Sequence, residues 1–222
     1  MSAMPRPARN HDLHGNAPDE ARVALVLIDV INDLDFPGGA ALLRPARTMA
    51  RRLGALKRRA RRLGIPAIYV NDNFGRWRSD FATLVAHCRR PGARGRDLAE
   101  LLAPSADDYF VLKPKHSGFF ATPLDTLLLY LGVETLILTG LTTDRCVLFT
   151  AADAHVRDYQ LFVPRDCVAA IDSAAHRQAL RHLERVVGVL TTPSSALDLP
   201  ALLGRRRASA KTSTIASGRR VA

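Results

Sequence analysis

Three polar residues stand at the ends of apolar runs: Asp29 after VALVLI, Lys113 after YFVL, and Cys146 just past LILTG. An acid, an amine and a thiol are the parts of a nucleophilic cysteine site. The acid takes the thiol proton, the ammonium steadies the sulfur's charge, and the sulfur attacks a carbonyl carbon. The three lie far apart in the chain, so they can act together only if the fold gathers them. The C-terminal ends of strands in an open parallel sheet share one edge, and sites form there.

Each of the three also has a plain structural reading. Asp29 could cap the loop that follows it, but an acid buried after six apolar residues must be paired or have a raised pKa. Lys113 has a rival in Lys115, because strand alternation puts both side chains on the same face. Cys146 falls in the first turn of an expected helix, with Thr143 or Asp144 as its cap. Free backbone N–H groups and the positive end of the dipole favour thiolate there. Lowering a thiol pKa by about two units takes ~2.7 kcal/mol. A helix end supplies roughly 0.3–1 kcal/mol, so this reading also needs a nearby ammonium. Cys88 and Cys167 lack the post-strand setting and read as structural. No CxxC pair or zinc-type spacing is present, and an odd cysteine count fits a reducing compartment rather than a disulfide frame.

The elements that must position these groups follow from periodicity. Apolar runs at 23–30, 65–72, 109–114 and 133–140 read as buried strands, with a fifth inside YQLFVPRD and a sixth inside RVVGVLTT. Leu42, Ala46, Met49, Leu53, Leu56, Ala60 and Leu63 form one stripe of a long helix, with Gly64 as its stop. Thr122 reads as an N-cap with Pro123 at the first helical position, and Asp172 or Ser173 caps a later helix. Short helices are expected at TLVAHC and DLAELL, inside an irregular stretch at 73–108 that could wall a substrate site. Strands alternating with helices predict a three-layer α/β/α, Rossmann-like, doubly wound, mostly parallel six-stranded sheet.

At 222 residues the chain suits one domain. Residues 1–20 read as a flexible arm, 21–203 as the domain and 204–222 as a basic disordered tail. No apolar run approaches the ~20 residues of a membrane span. The N-terminus lacks the apolar stretch of a secretory signal. The expected location is therefore cytoplasmic, with no membrane partner. The net charge of +11 is concentrated: six cations lie beyond Leu203 and nine between Arg44 and Arg62, with no acid in either stretch, so the remainder is net acidic. That pattern makes nucleic acid an unlikely partner and leaves a basic binding module for nucleic acid or an anionic surface as the weaker reading. There is no GxGxxG after the first strand and no Walker loop, so no nucleotide cofactor is expected.

Taken together, VALVLIDVINDLDFPGG, KPKHSGFFATPLDTLLLYLG and LILTGLTTDRCVLFTAADAHVRDYQLFVPRDCVAA resemble the isochorismatase-like cysteine hydrolases, relatives of nicotinamidases and N-carbamoylsarcosine amidases, over about residues 22–192. The resemblance implies that Asp29 is the general base and Cys146 the nucleophile. KPKHSGF matches the family's lysine pattern and selects Lys113. A non-proline cis peptide is implied between Leu141 and Thr142, with the Thr142 and Cys146 N–H groups forming an oxyanion hole. His116 stands where a tyrosine is commoner and reads as a supporting hydrogen-bonding residue. The nicotinamidase D-x-H metal pattern is replaced here by NDNFGRWRS, so no metal and no other cofactor is expected. Asn32, Phe36, Trp77 and Phe119 are candidate pocket walls. The implied activity is hydrolysis of a small amide or ureido substrate through a thioester, by a homo-oligomer. The alternative on the same fold is isochorismatase-type vinyl-ether hydrolysis by proton donation from aspartate.

Overall fold

The computed structural model describes residues 20–75, 78 and 80–204. Its centre is the run VALVLI, which forms strand β1 (Val23–Ile28) with every residue buried. A strand buried on both faces must be apolar throughout, which is why this segment shows no alternation. Parallel partners flank it: β2 (Ala67–Asp72) on one side and β4 (Thr135–Leu141) on the other. Outside β2 lies β3 (Tyr109–Lys113), and outside β4 lies β5 (Gln160–Phe162). A two-residue strand, β6 (Val168–Ala169), pairs with the last residues of β4.

The resulting order, β3-β2-β1-β4-β5 with β6 beside β4, is the expected six-stranded parallel sheet. The chain winds one way from β1 to β3 and the other way from β4 onward. The crevice between the ends of β1 and β4 is therefore the topological switch point, where α/β sites form.

Two apolar cores complete the three layers. On one face Leu25, Leu27 and Tyr69 pack with the long helix α1 (Gly39–Arg62) and the short helices α2 (Phe81–Arg89) and α3 (Arg96–Leu101). On the other, Val26, Ile28, Val70 and Leu138 pack with α4 (Leu124–Leu131) and α5 (Leu148–His155). The stripe of α1 is buried from Leu42 to Ala60, while Leu63 is 40% exposed beyond the last turn. Lys57 is the exception to that helix's solvated cations. It is buried, ion-paired to Asp108 at 2.6 Å, and donates to the Tyr69 hydroxyl at 2.7 Å. This ties α1 to the loop entering β3.

Two expectations need correction. RVVGVLTT is not the sixth strand. Residues Leu183–Val187 extend helix α6 (Ser173–His182) as a wide π-type turn, and Gly188 in the left-handed region stops it. Among the described residues of this segment, Leu190 forms an isolated bridge to Phe162, while Val187 and Val189 pack into the core. The strand role passes to Val168–Ala169. Helix α4 begins at Leu124, with Pro123 rather than Thr122 at its cap position, although the Thr122 hydroxyl still accepts from Leu124 N at 3.2 Å. Asp172 does cap α6, accepting from Ala175 N at 2.7 Å. Of the expected arm at 1–20 and tail at 204–222, residues 1–19 and 205–222 lie outside the described residues, and Gly204 belongs to the last helix. Among the described residues no helix is long and apolar enough to cross a membrane. The last helix, α7 (Leu199–Gly204), closes the described chain.

Candidate active site

Each of the three groups enters the switch-point crevice from a strand end. Asp29 directly follows β1, at the positive φ of 51°. This turns the chain out of the sheet while the carboxylate stays inside. Its Oδ1 accepts from Asp72 N at 2.7 Å, and its Oδ2 lies 2.9 Å from Lys113 Nζ. Lys113 is the last residue of β3 and is fully buried. Lys115 is exposed, so the geometry distinguishes the two lysines where alternation did not. The Lys113 ammonium also donates to Lys115 O at 3.1 Å and sits 3.5 Å from Cys146 Sγ.

Cys146 is carried by the turn Thr143–Val147, a wide π-type turn that leads from β4 into α5. The sheet delivers this turn to Asp29 through Gly140, which pairs with Ile28. Gly140 has φ +108°, and a Cβ there would lie 2.0 Å from Ile28 O. Only glycine lets the two strand ends approach this closely. The Leu141–Thr142 peptide that follows is cis.

The electrostatics overturn one expectation. Cys146 is not a resting thiolate, because its pKa is pushed up to about 12 from an ordinary 9.0. Burial is the largest cause and the neighbouring Asp29 charge the next; the Lys113 ammonium offsets them only in part. The thiol therefore stays protonated and donates to the Asp29 carboxylate. Burial likewise raises the Asp29 carboxyl above its ordinary 3.8, against the lowering pull of Lys113. Lys113 is held charged, since burial works against the ammonium but the Asp29 charge and its other partners outweigh it. No side chain caps the turn Thr143–Val147, so neither Thr143 nor Asp144 is the expected cap. Thr143 Oγ1 pairs with His176 Nδ1 at 2.8 Å, and Asp144 Oδ1 is buried with no hydrogen-bond partner among the described residues.

The sulfur opens on a cavity of about 450 Å³. Asn32 and Phe36 line it as expected, together with Thr142 and Cys146. Phe119 does not. It is 5% exposed in the core under α4, with its ring 6.1 Å from that of Tyr159 and under the Arg157 guanidinium. It sits in the turns after β3 and packs into the core with Leu124 and Leu128, so it is a packing residue. Trp77 lies outside the described residues.

Sequence reasoning undervalued His116, whose Nδ1 reaches Cys146 Sγ at 3.6 Å. It missed Arg145, Ile171 and Asp172, which also line the cavity. Arg145 could have been found as the chain neighbour of Cys146. Ile171 and Asp172 arrive from the β6–α6 connection, which no local pattern ties to the site.

A metal does not fit these residues. The place after β2 holds Asp72, Asn73 and Phe74, and the Asp72 carboxylate already accepts from Phe74 N at 2.6 Å and faces Lys113 at 3.8 Å. Among the described residues no three His, Cys, Asp or Glu side chains converge in a way that could hold an ion.

Comparison with known proteins agrees with this geometry. The isochorismatase domain model matches residues 23–194. The chain belongs to the isochorismatase family. It is 38% identical over 168 residues to the uncharacterized isochorismatase family protein YaaI of Bacillus subtilis, covering 76% of this chain and 92% of that one. It is 30% identical over 223 residues to the ureidoacrylate amidohydrolase RutB of Methylobacterium radiotolerans, covering 83% of each. Among solved structures, N-carbamoylsarcosine amidase from Thermoplasma acidophilum superposes with a TM-score of 0.58 at 32% identity, over 80% of this chain and 99% of that one. The protein is thus an isochorismatase-family hydrolase, with amidohydrolases among its relatives.

Proposed function

We propose that the protein hydrolyses the C–N bond of a small amide or ureido compound, with Cys146 as a covalent nucleophile. The observation that carries this reading is the Lys113 ammonium, 2.9 Å from the Asp29 carboxylate and 3.5 Å from the Cys146 sulfur, at the wall of an open cavity. Relatives named as ureidoacrylate amidohydrolase and N-carbamoylsarcosine amidase support the bond type.

The raised thiol pKa suits this chemistry. Before reaction the trio is carboxylate, ammonium and thiol. After the thiol proton moves to Asp29 it is carboxylic acid, ammonium and thiolate. The net charge is zero in both states, so the transfer creates no uncompensated charge in a buried site. The proton moves as sulfur bonds to the carbonyl carbon, and the carbonyl electron pair becomes an oxyanion. Backbone N–H groups of Thr142 and Cys146 are the proposed donors to it. Asp29 then gives its proton to the leaving nitrogen, the C–N bond breaks, and a thioester remains. Water attacks that thioester while Asp29 takes a water proton. The C–S bond breaks, the acid departs, and the proton returns to sulfur.

A second reading rests on the raised carboxyl pKa of Asp29. A carboxyl that holds its proton more firmly than usual could donate it to a vinyl ether, with the sulfur as a bystander. Assaying small amides, ureido acids and isochorismate against wild type and Cys146→Ala separates the two. Amide or ureido turnover that collapses in the variant supports covalent catalysis. Isochorismate cleavage retained without the thiol would establish the second reading instead.

A further inference from the structure

Ile171 lines the catalytic cavity on one side and, on the other, a second cavity of about 550 Å³ that the mechanism does not use. One wall of this second cavity is α1, which presents Arg44, Thr48 and Arg52 on one face at successive turns. Opposite stand Arg165, from the loop between β5 and β6, and Ser173 and His176 from the start of α6. Pro45, Met49 and Ile171 supply apolar surface between the walls.

The charge of this groove is unbalanced. Arg44, Arg52 and Arg165 are exposed, and none of their guanidiniums meets an acceptor among the described residues. On the same helix Arg47 pairs with Asp97, Arg61 with Asp107, and Arg59 donates to the Ser194 and Leu197 carbonyls. The single acid lining the groove is turned away from it: Asp166 Oδ1 accepts from Ser194 N at 2.7 Å and Oδ2 from Ser194 Oγ at 2.8 Å. Three positive forks thus border one concave space against a single carboxylate, which is already held by Ser194. Guanidinium geometry matches phosphate and carboxylate oxygens in pairs. Arg44 and Arg52 are eight residues apart, roughly 12 Å along the helix, so one small anion does not span them.

We propose that this groove binds a small molecule bearing more than one anionic group of phosphate type, its body lying over Pro45, Met49 and Ile171. The site is distinct from the catalytic cavity and close to it. Ile171 is shared, and His176 bonds to Thr143 in the catalytic turn. The proposal does not depend on which bond the enzyme cleaves.

The test is calorimetric titration of the full chain with fructose 1,6-bisphosphate, whose two phosphates are held apart by a carbon body, at constant ionic strength. Saturable binding by wild type is expected. Dissociation constants should rise tenfold or more in the Arg44→Gln/Arg52→Gln double variant and in Arg165→Gln. Arg58→Gln, an exposed arginine of α1 outside the groove, should bind as wild type does. All four positions are exposed, so unchanged melting temperatures without ligand are expected of the variants. Absence of saturable binding by wild type, or equal binding by all variants, would overturn the proposal. Groove-dependent retention of single-stranded DNA without any response to the bisphosphate would overturn it too.

Discussion

At the scale of single residues, the site works by balancing burial against charge. In the proposed mechanism Asp29 is the proton acceptor for Cys146, and it is also the second-largest cause of the thiol's raised pKa, after burial. Asp29→Asn therefore has two opposite effects. Turnover should fall by at least ~10²-fold, the lower end of what a positioned acid–base group contributes. Alkylation of Cys146 by iodoacetamide at neutral pH should speed up, because the neighbouring negative charge that holds the proton on sulfur is gone. Rate measurements on the same protein preparation check both. The pH profile follows from the same argument. The carboxylate is the working form of Asp29, so kcat/KM should decline as pH falls through its pKa. Since burial raises that pKa, the acid limb should lie above the ordinary value of 3.8. On the alkaline side, Lys113 is held charged above its ordinary 10.5 and the thiol titrates near 12, so neither causes a loss around neutrality.

Asp29 and Cys146 stood out in the sequence because a polar group at the end of a buried strand is conspicuous, whereas Lys113 was separated from Lys115 only by the family resemblance. Their protonation states were not. Summing a helix end and an ammonium points to thiolate, but desolvation depends on depth, which spacing does not report. His116 was noticed but placed one shell too far from the sulfur.

At the scale of elements, the site depends on how closely β1 and β4 end beside each other. Gly140 is the contact that permits it, with φ +108° and room for no Cβ beside Ile28 O. Gly140→Ala should cost at least ~1–3 kcal/mol from the disfavoured backbone alone, visible as a lower denaturation midpoint. Turnover should drop with it, because residues 141–146 would be pushed off the Asp29–Lys113 pair. The longer strands could be read from unbroken apolar runs and the α1 stripe from its helical period. β6 could not: two residues carry no period, and its pairing depends on β4 being already in place. RVVGVLTT misleads for the converse reason. It has the composition of a strand, but Gly188 in the left-handed region and the turn Leu183–Val187 consume it as a helix end. Phe119 shows the same limit at the site, because the direction of a loop side chain is set by the core it meets.

At the scale of the whole molecule, the family match ends at residue 194 and the cationic run beyond Gly204 lies outside it. Removing residues 205–222 should leave the melting temperature and turnover unchanged and should reduce salt-sensitive retention on phosphocellulose. A large loss of turnover would show that the domain extends further than proposed. The central claim, that hydrolysis passes through a bond to Cys146, is tested most directly by acid-quenching the enzyme during turnover of an accepted amide and weighing the intact chain. The account predicts an added acyl mass on wild type, mapped to the peptide holding Cys146 and absent from Cys146→Ala. An unmodified wild-type chain together with undiminished hydrolysis by Cys146→Ala would contradict it.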